Sequence, residues 1–187
     1  MRIIAGKFRG RRLKRPPSNR TRPTSDRLRE TLFNVLSPRI EGALFLDLCA
    51  GTGAVGIEAL SRGAEHVTFV DQSQTMCALI EANVKALKID EDEIEVVTAE
   101  ALEFLRRPAK KQAERFDIIF FDPPYAADYQ SVLSFIGKHT SQLTIEDAVL
   151  IVEHSSKQNL AEALGQIRAY RTLKQGDSSL SFYRVAN

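Results

Sequence analysis

The chain has 187 residues, 43% hydrophobic and 27% charged, and only two cysteines, Cys49 and Cys77. That length suits one domain with a sizeable core, and the composition excludes disordered, collagen-like and disulfide-stapled classes. The formal net charge of +2 hides a split: residues 1–30 carry 11 Lys or Arg against two acids, whereas the remainder carries 15 against 22. A cationic arm on an acidic body points to a polyanionic partner, because clustered positive charge steers and holds phosphate backbones. No apolar stretch follows the N-terminal charges, and none anywhere is long enough to span a bilayer. A soluble, cytoplasmic protein with no membrane partner is expected.

In chain order, Ile3, Ile4, Phe8 and Leu13 punctuate the basic arm, with Gly6 and Gly10 as turn points. This reads as one or two short strands, a hairpin-like arm over residues 1–23, ahead of a domain at 24–187. Thr24 or Ser25 can cap a helix whose first turn holds Asp26 and whose apolar stripe is Leu28, Leu32, Val35 and Leu36. Ala43 to Leu48 is a near-continuous apolar run, the pattern of a strand covered on both faces. A glycine turn and a helix to about Arg62-Gly63 follow. Further strands are predicted at His66–Val70, Ile94–Thr98, Phe116–Phe121 and Ala148–Val152, then two late ones at 166–174 and 179–185. The intervening helices are predicted at Ser73–Leu87, at Ala101–Arg107, around Tyr129–Ile136 and at Asn159–Leu164. Serial strand–helix units imply parallel pairing with right-handed crossovers, and the last two strands should form an antiparallel hairpin. The fold class is α/β: a Rossmann-like, seven-stranded mixed sheet.

Asp47-Leu48-Cys49-Ala50-Gly51-Thr52-Gly53-Ala54-Val55-Gly56 is a strand, a tight turn and a helix start. No Gly-Lys-Ser/Thr follows, so it is not a Walker loop. Its Gly-x-Gly-x-x-Gly spacing admits a dinucleotide, and hydride transfer stands as a rival. Asp71, 20 residues beyond Gly51, can accept hydrogen bonds from a ribose, or serve as a strand-end residue. A carboxylate at Asp47 disfavours a pyrophosphate and suits a cationic cofactor, S-adenosylmethionine. Asp47, Cys49, Ala50, Gly51, Gly53, Asp71 and Glu100 are the candidate cofactor residues. Glu100 is open between cofactor contact and helix-start charge.

Asp122-Pro123-Pro124-Tyr125 ends an apolar strand. Parallel sheets bind ligands outside the C-terminal strand ends, so this loop shares a rim with the glycine turn. Two prolines stiffen it and remove two N–H donors. Asp122 and the Pro123 carbonyl can accept from an exocyclic amine, Tyr125 can stack on a base, and Pro124 lies on the substrate side. Asp122, Pro123 and Tyr125 are the candidate catalytic residues. His66, His139 and His154 are dispersed, and no metal is expected. Glu153 could line the base pocket or form a strand-end ion pair.

On these residues the chain resembles the bacterial methyltransferases that modify the exocyclic N2 of one guanine in 16S ribosomal RNA. The resemblance is carried by Arg2-Ile3-Ile4-Ala5-Gly6, Gly10-Arg11-Arg12-Leu13, Arg22-Pro23-Thr24-Ser25-Asp26-Arg27-Leu28-Arg29-Glu30, Phe33-Asn34-Val35-Leu36, the glycine loop, the Asp122 loop and Gly176-Asp177-Ser178-Ser179-Leu180. It implies the class I methyltransferase fold, Asp71 on the cofactor ribose, and Asp122 to Tyr125 at the target amine. It also implies a substrate presented in a small subunit or its assembly intermediate. Arg11, Arg12 and Arg15, with Arg9, Lys14 and Arg20, are expected on phosphates, and Arg22, Thr24 and Asp26 along the substrate channel. No obligate protein partner is evident, and a monomer is expected. Three alternatives stay open: an amine methylase acting on adenine N6 or protein glutamine, a nicotinamide oxidoreductase, and a non-catalytic RNA-binding assembly factor.

Overall fold

A computed structural model describes residues 1–16, 25–107, 115–124 and 129–185. Its sheet has eight strands in the order β3-β2-β1-β4-β5-β8-β7-β6. The first five are β1 (Leu44–Leu48), β2 (His66–Asp71), β3 (Ile94–Thr98), β4 (Phe116–Phe121) and β5 (Thr144–Ser155), and their neighbouring pairs are all parallel. Strands β6 (Ala163–Leu164), β7 (Ile167–Gln175) and β8 (Ser178–Val185) add antiparallel pairs at one edge. Strand order reverses between β1 and β4, which places a ligand crevice at their C-terminal ends.

Side-chain alternation along β1 sorts two cores. Phe45 joins a core with Phe33, Ile57, Phe69 and Phe120, beneath α1 (Asp26–Leu36), α2 (Ala54–Ser61) and α3 (Gln74–Leu87). Leu46 and Leu48 join the opposite core with Val70, Phe121 and Leu133, beneath α4 (Ala101–Leu105) and α5 (Tyr129–Lys138). Ser25 caps α1, its side chain accepting from the Leu28 N–H at 3.1 Å. Ser73 caps α3 in the same way. A single 3-10 turn at Glu91–Glu93 and a short helix, α6 (Thr140–Leu143), lie outside the periodic segments and were not predicted.

Two expectations are corrected. The sheet has eight strands, not seven, and residues 159–164 form no helix. The Ala163–Leu164 pair instead becomes the edge strand β6. Long-range bonds decide this: the Tyr183 hydroxyl donates to the Ala161 carbonyl at 2.9 Å, and Ala169 N–H to Glu162 O at 2.7 Å. Both flatten the segment against β7 and β8, where sheet bonds replace helical ones. Strand β5 also runs longer than its apolar stretch, because β8 pairs with it as far as Ser155.

Residues 1–16 fold back on themselves through one antiparallel bridge, Arg2 with Arg12, rather than one or two full strands. Ile3, Phe8 and Leu13 are buried in the α1–α2–α3 core. The expected boundary at residue 23 lies outside the described residues.

Candidate active site

The Cys49–Gly53 turn leaves β1 through three left-handed residues, Cys49, Gly51 and Gly53. Cys49 is the informative one, since a non-glycine residue at φ 67° is uncommon outside constrained sites. The turn is closed by Gly53 N–H on Ala50 O at 2.8 Å and tied to β2 by Ala50 N–H on Val70 O at 2.9 Å. Asp71 locks it further: Oδ2 accepts from Gly51 N–H and Oδ1 from Ser73 N–H, both at 2.8 Å. One carboxylate thereby fixes the glycine turn and the start of α3.

Asp47 lies on the same face of β1 as Phe45, under α2. Its Oδ2 accepts from Gly56 N–H at 2.9 Å, holding the helix start against the strand. Burial pushes its carboxyl up to about 7; the Gly56 bond opposes that rise and the Asp71 charge adds to it. This helix-anchoring bond was not legible in the sequence. Gly56 is required by packing, because a Cβ there would stand 2.3 Å from the Phe69 ring. Gly51 differs: a Cβ there would meet nothing within 4 Å. It is the open side of the turn, where only backbone faces the crevice.

Asp122 N–H donates to Leu48 O at 3.2 Å. That bond sets the first residue after β4 beside the first residue after β1. The Cys49 thiol reports the field there. Burial first, then the charges of Asp71, Asp122 and Asp47, together push it up to about 12. Cys49 therefore stays a thiol and is no nucleophile. Asp71 and Asp122 beside an open backbone turn fit a sulfonium cofactor and oppose a pyrophosphate, while Asp47, buried under α2, acts behind them.

Pro123 is buried and Pro124 exposed. The Tyr129 hydroxyl donates to the Pro123 carbonyl at 3.3 Å, and its ring packs edge-on against Phe121 at 5.9 Å. Tyr129 read only as a helix residue in the sequence; here it braces the Asp122 loop. A cavity of about 260 Å³ adjoins it, lined in part by Gln130, Gln158 and Asn159. Tyr125, Arg20, Arg22 and Thr24 lie outside the described residues. Glu100 is exposed at the start of α4 and makes no capping bond there. His154 is buried between β5 and β8, with Nε2 2.8 Å from Ser181 Oγ, and burial lowers its pKa. Glu153 is buried beside it on β5.

Arg11, Arg12 and Arg15 are exposed, and Arg11 donates to Ala86 O at 3.2 Å. Asp26 faces arginines: Oδ1 accepts from Arg29 at 3.0 Å and Oδ2 lies 3.8 Å from Arg2 Nε. Sequence reading missed the group behind them. Glu58, fully buried on α2, accepts from Ile4 N–H at 2.8 Å, Ala5 N–H at 3.0 Å and Arg62 Nε at 2.8 Å. A lone acid in the all-apolar stretch Ala54-Val55-Gly56-Ile57-Glu58-Ala59-Leu60 was the available signal, since a buried charge needs partners.

A family model described as "Conserved hypothetical protein 95" matches residues 1–184. The chain belongs to this family. A Bacillus subtilis (strain 168) relative named "Putative rRNA methyltransferase YlbH" is 35% identical over 185 residues, 98% of each chain. "Ribosomal RNA small subunit methyltransferase D" of Haemophilus influenzae is 43% identical over 125 residues, covering 67% of this chain and 64% of that protein. The solved structure titled "Putative methyltransferase yhhF from Escherichia coli" has a TM-score of 0.85 at 30% identity, covering all of this chain and 98% of that one. The fold is that of class I methyltransferases. Of the candidate cofactor residues, Cys49, Ala50, Gly51 and Gly53 form the turn between β1 and α2, Asp71 ends β2 and bonds to it, and Asp47 lies buried in β1.

Proposed function

We propose that this chain transfers a methyl group to the exocyclic N2 of a guanine in 16S ribosomal RNA, within a small subunit or its assembly intermediate. The observation that carries the reading is the Asp122 N–H to Leu48 O bond, which sets the acidic glycine turn and the Asp122-Pro123-Pro124 segment side by side at the strand-order reversal. The relatives named as rRNA methyltransferases support the polymer, and the basic arm supports a polyanion.

S-adenosylmethionine, when bound, supplies an electrophilic sulfonium methyl. The residues of the chain do the positioning. An exocyclic amine is a poor nucleophile because its lone pair is delocalised into the ring. Asp122 and the Pro123 carbonyl accept its two N–H bonds and turn the lone pair toward the methyl donor. A carbonyl oxygen has two lone pairs, so Pro123 can serve the amine while Tyr129 holds it. The gain is orientation and electrostatics, and the surplus proton leaves after transfer, with Asp122 as first acceptor. Tyr125 provides a flat face for the base, and Pro124 borders it. Asp71 takes the ribose hydroxyls, and Glu100 lies on the adenosine side. Arg11, Arg12 and Arg15 hold phosphates, and Arg22, Thr24 and Asp26 contribute to substrate binding. The chain acts as a cytoplasmic monomer. The acidic rim weighs against the nicotinamide reading.

The test uses labelled S-adenosylmethionine with under-methylated small subunits and matching free RNA, followed by nucleoside digestion and mass spectrometry. Label in N2-methylguanosine is the expected result. Label in N6-methyladenosine would keep the chemistry and change the base. RNA binding without label would favour the assembly-factor reading.

A further inference from the structure

The C-terminal hairpin carries a feature that the site at the rim does not use. Along β7 and β8 the register runs Ala169 with Tyr183, then Arg171 with Phe182, leaving Tyr170 unmatched as a β-bulge. A bulge breaks the strict alternation of side chains and re-aims them. Here Arg171 comes opposite Phe182, while the Tyr170 ring packs 6.2 Å from the same Phe182 ring. Tyr170 is 43% exposed, and no other large hydrophobic side chain is exposed among the described residues. The Arg184 guanidinium lies over its ring, 5.5 Å from the centroid. Arg39, Arg171 and Arg184 are the charges that act on its hydroxyl.

The bulge thus gathers arginines on one surface. Arg168 stands directly opposite Arg184 across the ladder. Like charges directly opposed destabilise a sheet, and a bound polyanion offsets that repulsion. Arg39, Arg168, Arg171 and Arg184 are all exposed. Among the described residues, none of the four lies in an ion pair with a carboxylate. Arg39 and Arg168 bond to backbone carbonyls: Arg39 to Asp147 O at 2.9 Å, and Arg168 to Ile167 O at 2.9 Å and to Gly165 O. Those bonds orient the guanidinium groups and leave their charge uncompensated.

We propose that this bulged hairpin is a second RNA-docking surface, in which Arg39, Arg168, Arg171 and Arg184 take backbone phosphates of the RNA substrate and Tyr170 holds the Arg184 guanidinium in place. The proposal rests on the RNA reading above and adds a contact to it. The surface lies on the same sheet face as the arm, since both Phe182 and the arm's Ile3, Phe8 and Leu13 belong to one core. The arm sits on α2 and α3. From β2 to β8 is four strand spacings, about 19 Å at about 4.8 Å each. The two cationic surfaces therefore lie on either side of β1 and β4 on one face, with Arg184 level with Val149 toward the N-terminal strand ends, and one RNA can bridge them along that side. Phosphate contacts of this kind position the substrate without reading its sequence.

The test is a salt series of equilibrium binding by the full-length chain, to under-methylated small subunits and to naked 16S RNA. The variants are Arg168→Gln/Arg171→Gln/Arg184→Gln and the milder Arg171→Gln/Arg184→Gln. The triple variant should lower the slope of log affinity against log salt by about two to three, roughly one for each phosphate no longer neutralised. Its binding should weaken about ten-fold or more at moderate salt. Its thermal midpoint should equal or exceed the parent's, since the Arg168–Arg184 repulsion is gone, its S-adenosylmethionine affinity should match the parent's, and the double variant repeats the measurement if the triple does not fold. An unchanged slope in a folded variant, against a parent that binds RNA, overturns the second surface and leaves the RNA reading standing. A parent with no RNA affinity overturns that reading itself. Weakening against the particle alone, with naked RNA unaffected, overturns the proposal in favour of an acidic protein surface.

Discussion

Arg29 Nε lies 3.6 Å from Glu58 Oε2, and both side chains are withdrawn from water. Arg29 comes from α1 and Glu58 from α2, so the pair joins the helix that follows the arm to the helix that follows the glycine turn. Arg29 also donates to the Arg2 carbonyl at 2.5 Å. Glu58 receives the Ile4 and Ala5 amides. The first residues of the cationic arm are thus fastened to the helix that begins at the glycine turn.

Glu58→Ala should destabilise the chain by about 3–5 kcal/mol, because it removes the buried carboxylate that Arg29, Arg62 and the Ile4 and Ala5 amides share and leaves Arg29 only the half-exposed Asp26. It should also free the arm, so that protease cuts near residues 4–9 faster than in the parent. Urea denaturation and timed proteolysis check both. A loss under about 1 kcal/mol, the range of an exposed pair, would mean that the arm is held by its apolar side chains alone.

Gly51→Ala and Gly56→Ala should separate binding from stability. At Gly56 the new methyl collides with the Phe69 ring, so about 1–3 kcal/mol of stability is lost. At Gly51 it enters open space at φ 53°, costing about 1–2 kcal/mol in strain and projecting a methyl where the cofactor backbone contact belongs. Calorimetric titration with S-adenosylmethionine should show a loss of ten-fold or more for Gly51→Ala. Equal affinities in the two variants would move the cofactor off this turn.

Asp122→Ala should lower turnover by about 100-fold or more, the scale of losing one positioned polar group at a reacting centre. S-adenosylmethionine affinity should stay within a few-fold. Single-turnover methyl transfer and calorimetry measure the two separately. A large loss of cofactor affinity would contradict the assignment of Asp122 to the target amine.

Asp47 keeps its proton to about pH 7 in the folded chain against an ordinary value of 3.8. Between those values the folded chain binds a proton that the unfolded chain has released, so stability falls as pH rises through the window and levels off above it. The window spans about three pH units, which sets a loss of order 4 kcal/mol. Asp47→Asn keeps an acceptor for the Gly56 N–H and removes the titration. Its stability relative to the parent should therefore rise from the acidic to the neutral end. Cofactor-free urea denaturation at both ends tests this, and a constant difference would exclude Asp47 as the titrating group.

Neutralising Arg11, Arg12 and Arg15 together should weaken particle binding and flatten its salt dependence by about one for each phosphate that the arm no longer neutralises. Binding across a salt series reads this directly. An unchanged slope would remove the arm from the interface.

Local pattern was enough for most of the frame. The apolar run at Ala43–Leu48 announced a strand covered on both faces, and the stripe of Leu28, Leu32 and Leu36 announced α1, because period and burial are properties of neighbouring residues. The turn after β1 and the strand-end positions of Asp71 and Asp122 were legible for the same reason: each is marked by residues adjacent in the chain. Helix formation at 159–164 was predicted from equally local spacing and did not occur, since the competing bonds come from Tyr183 and Ala169, residues the string does not contain. Local sequence was sufficient for α1 to α5, for β1 to β5, β7 and β8, for the residues offered at each strand end and for the basic character of the arm. Packing across the fold set the rest: Asp47 anchors α2, Glu58 gathers Ile4, Ala5, Arg29 and Arg62, Tyr129 braces Pro123, and Tyr170 bulges out among arginines. Those assignments depend on hydrogen bonds and charges meeting across the fold, where burial makes an unpaired group costly and so selects the partner.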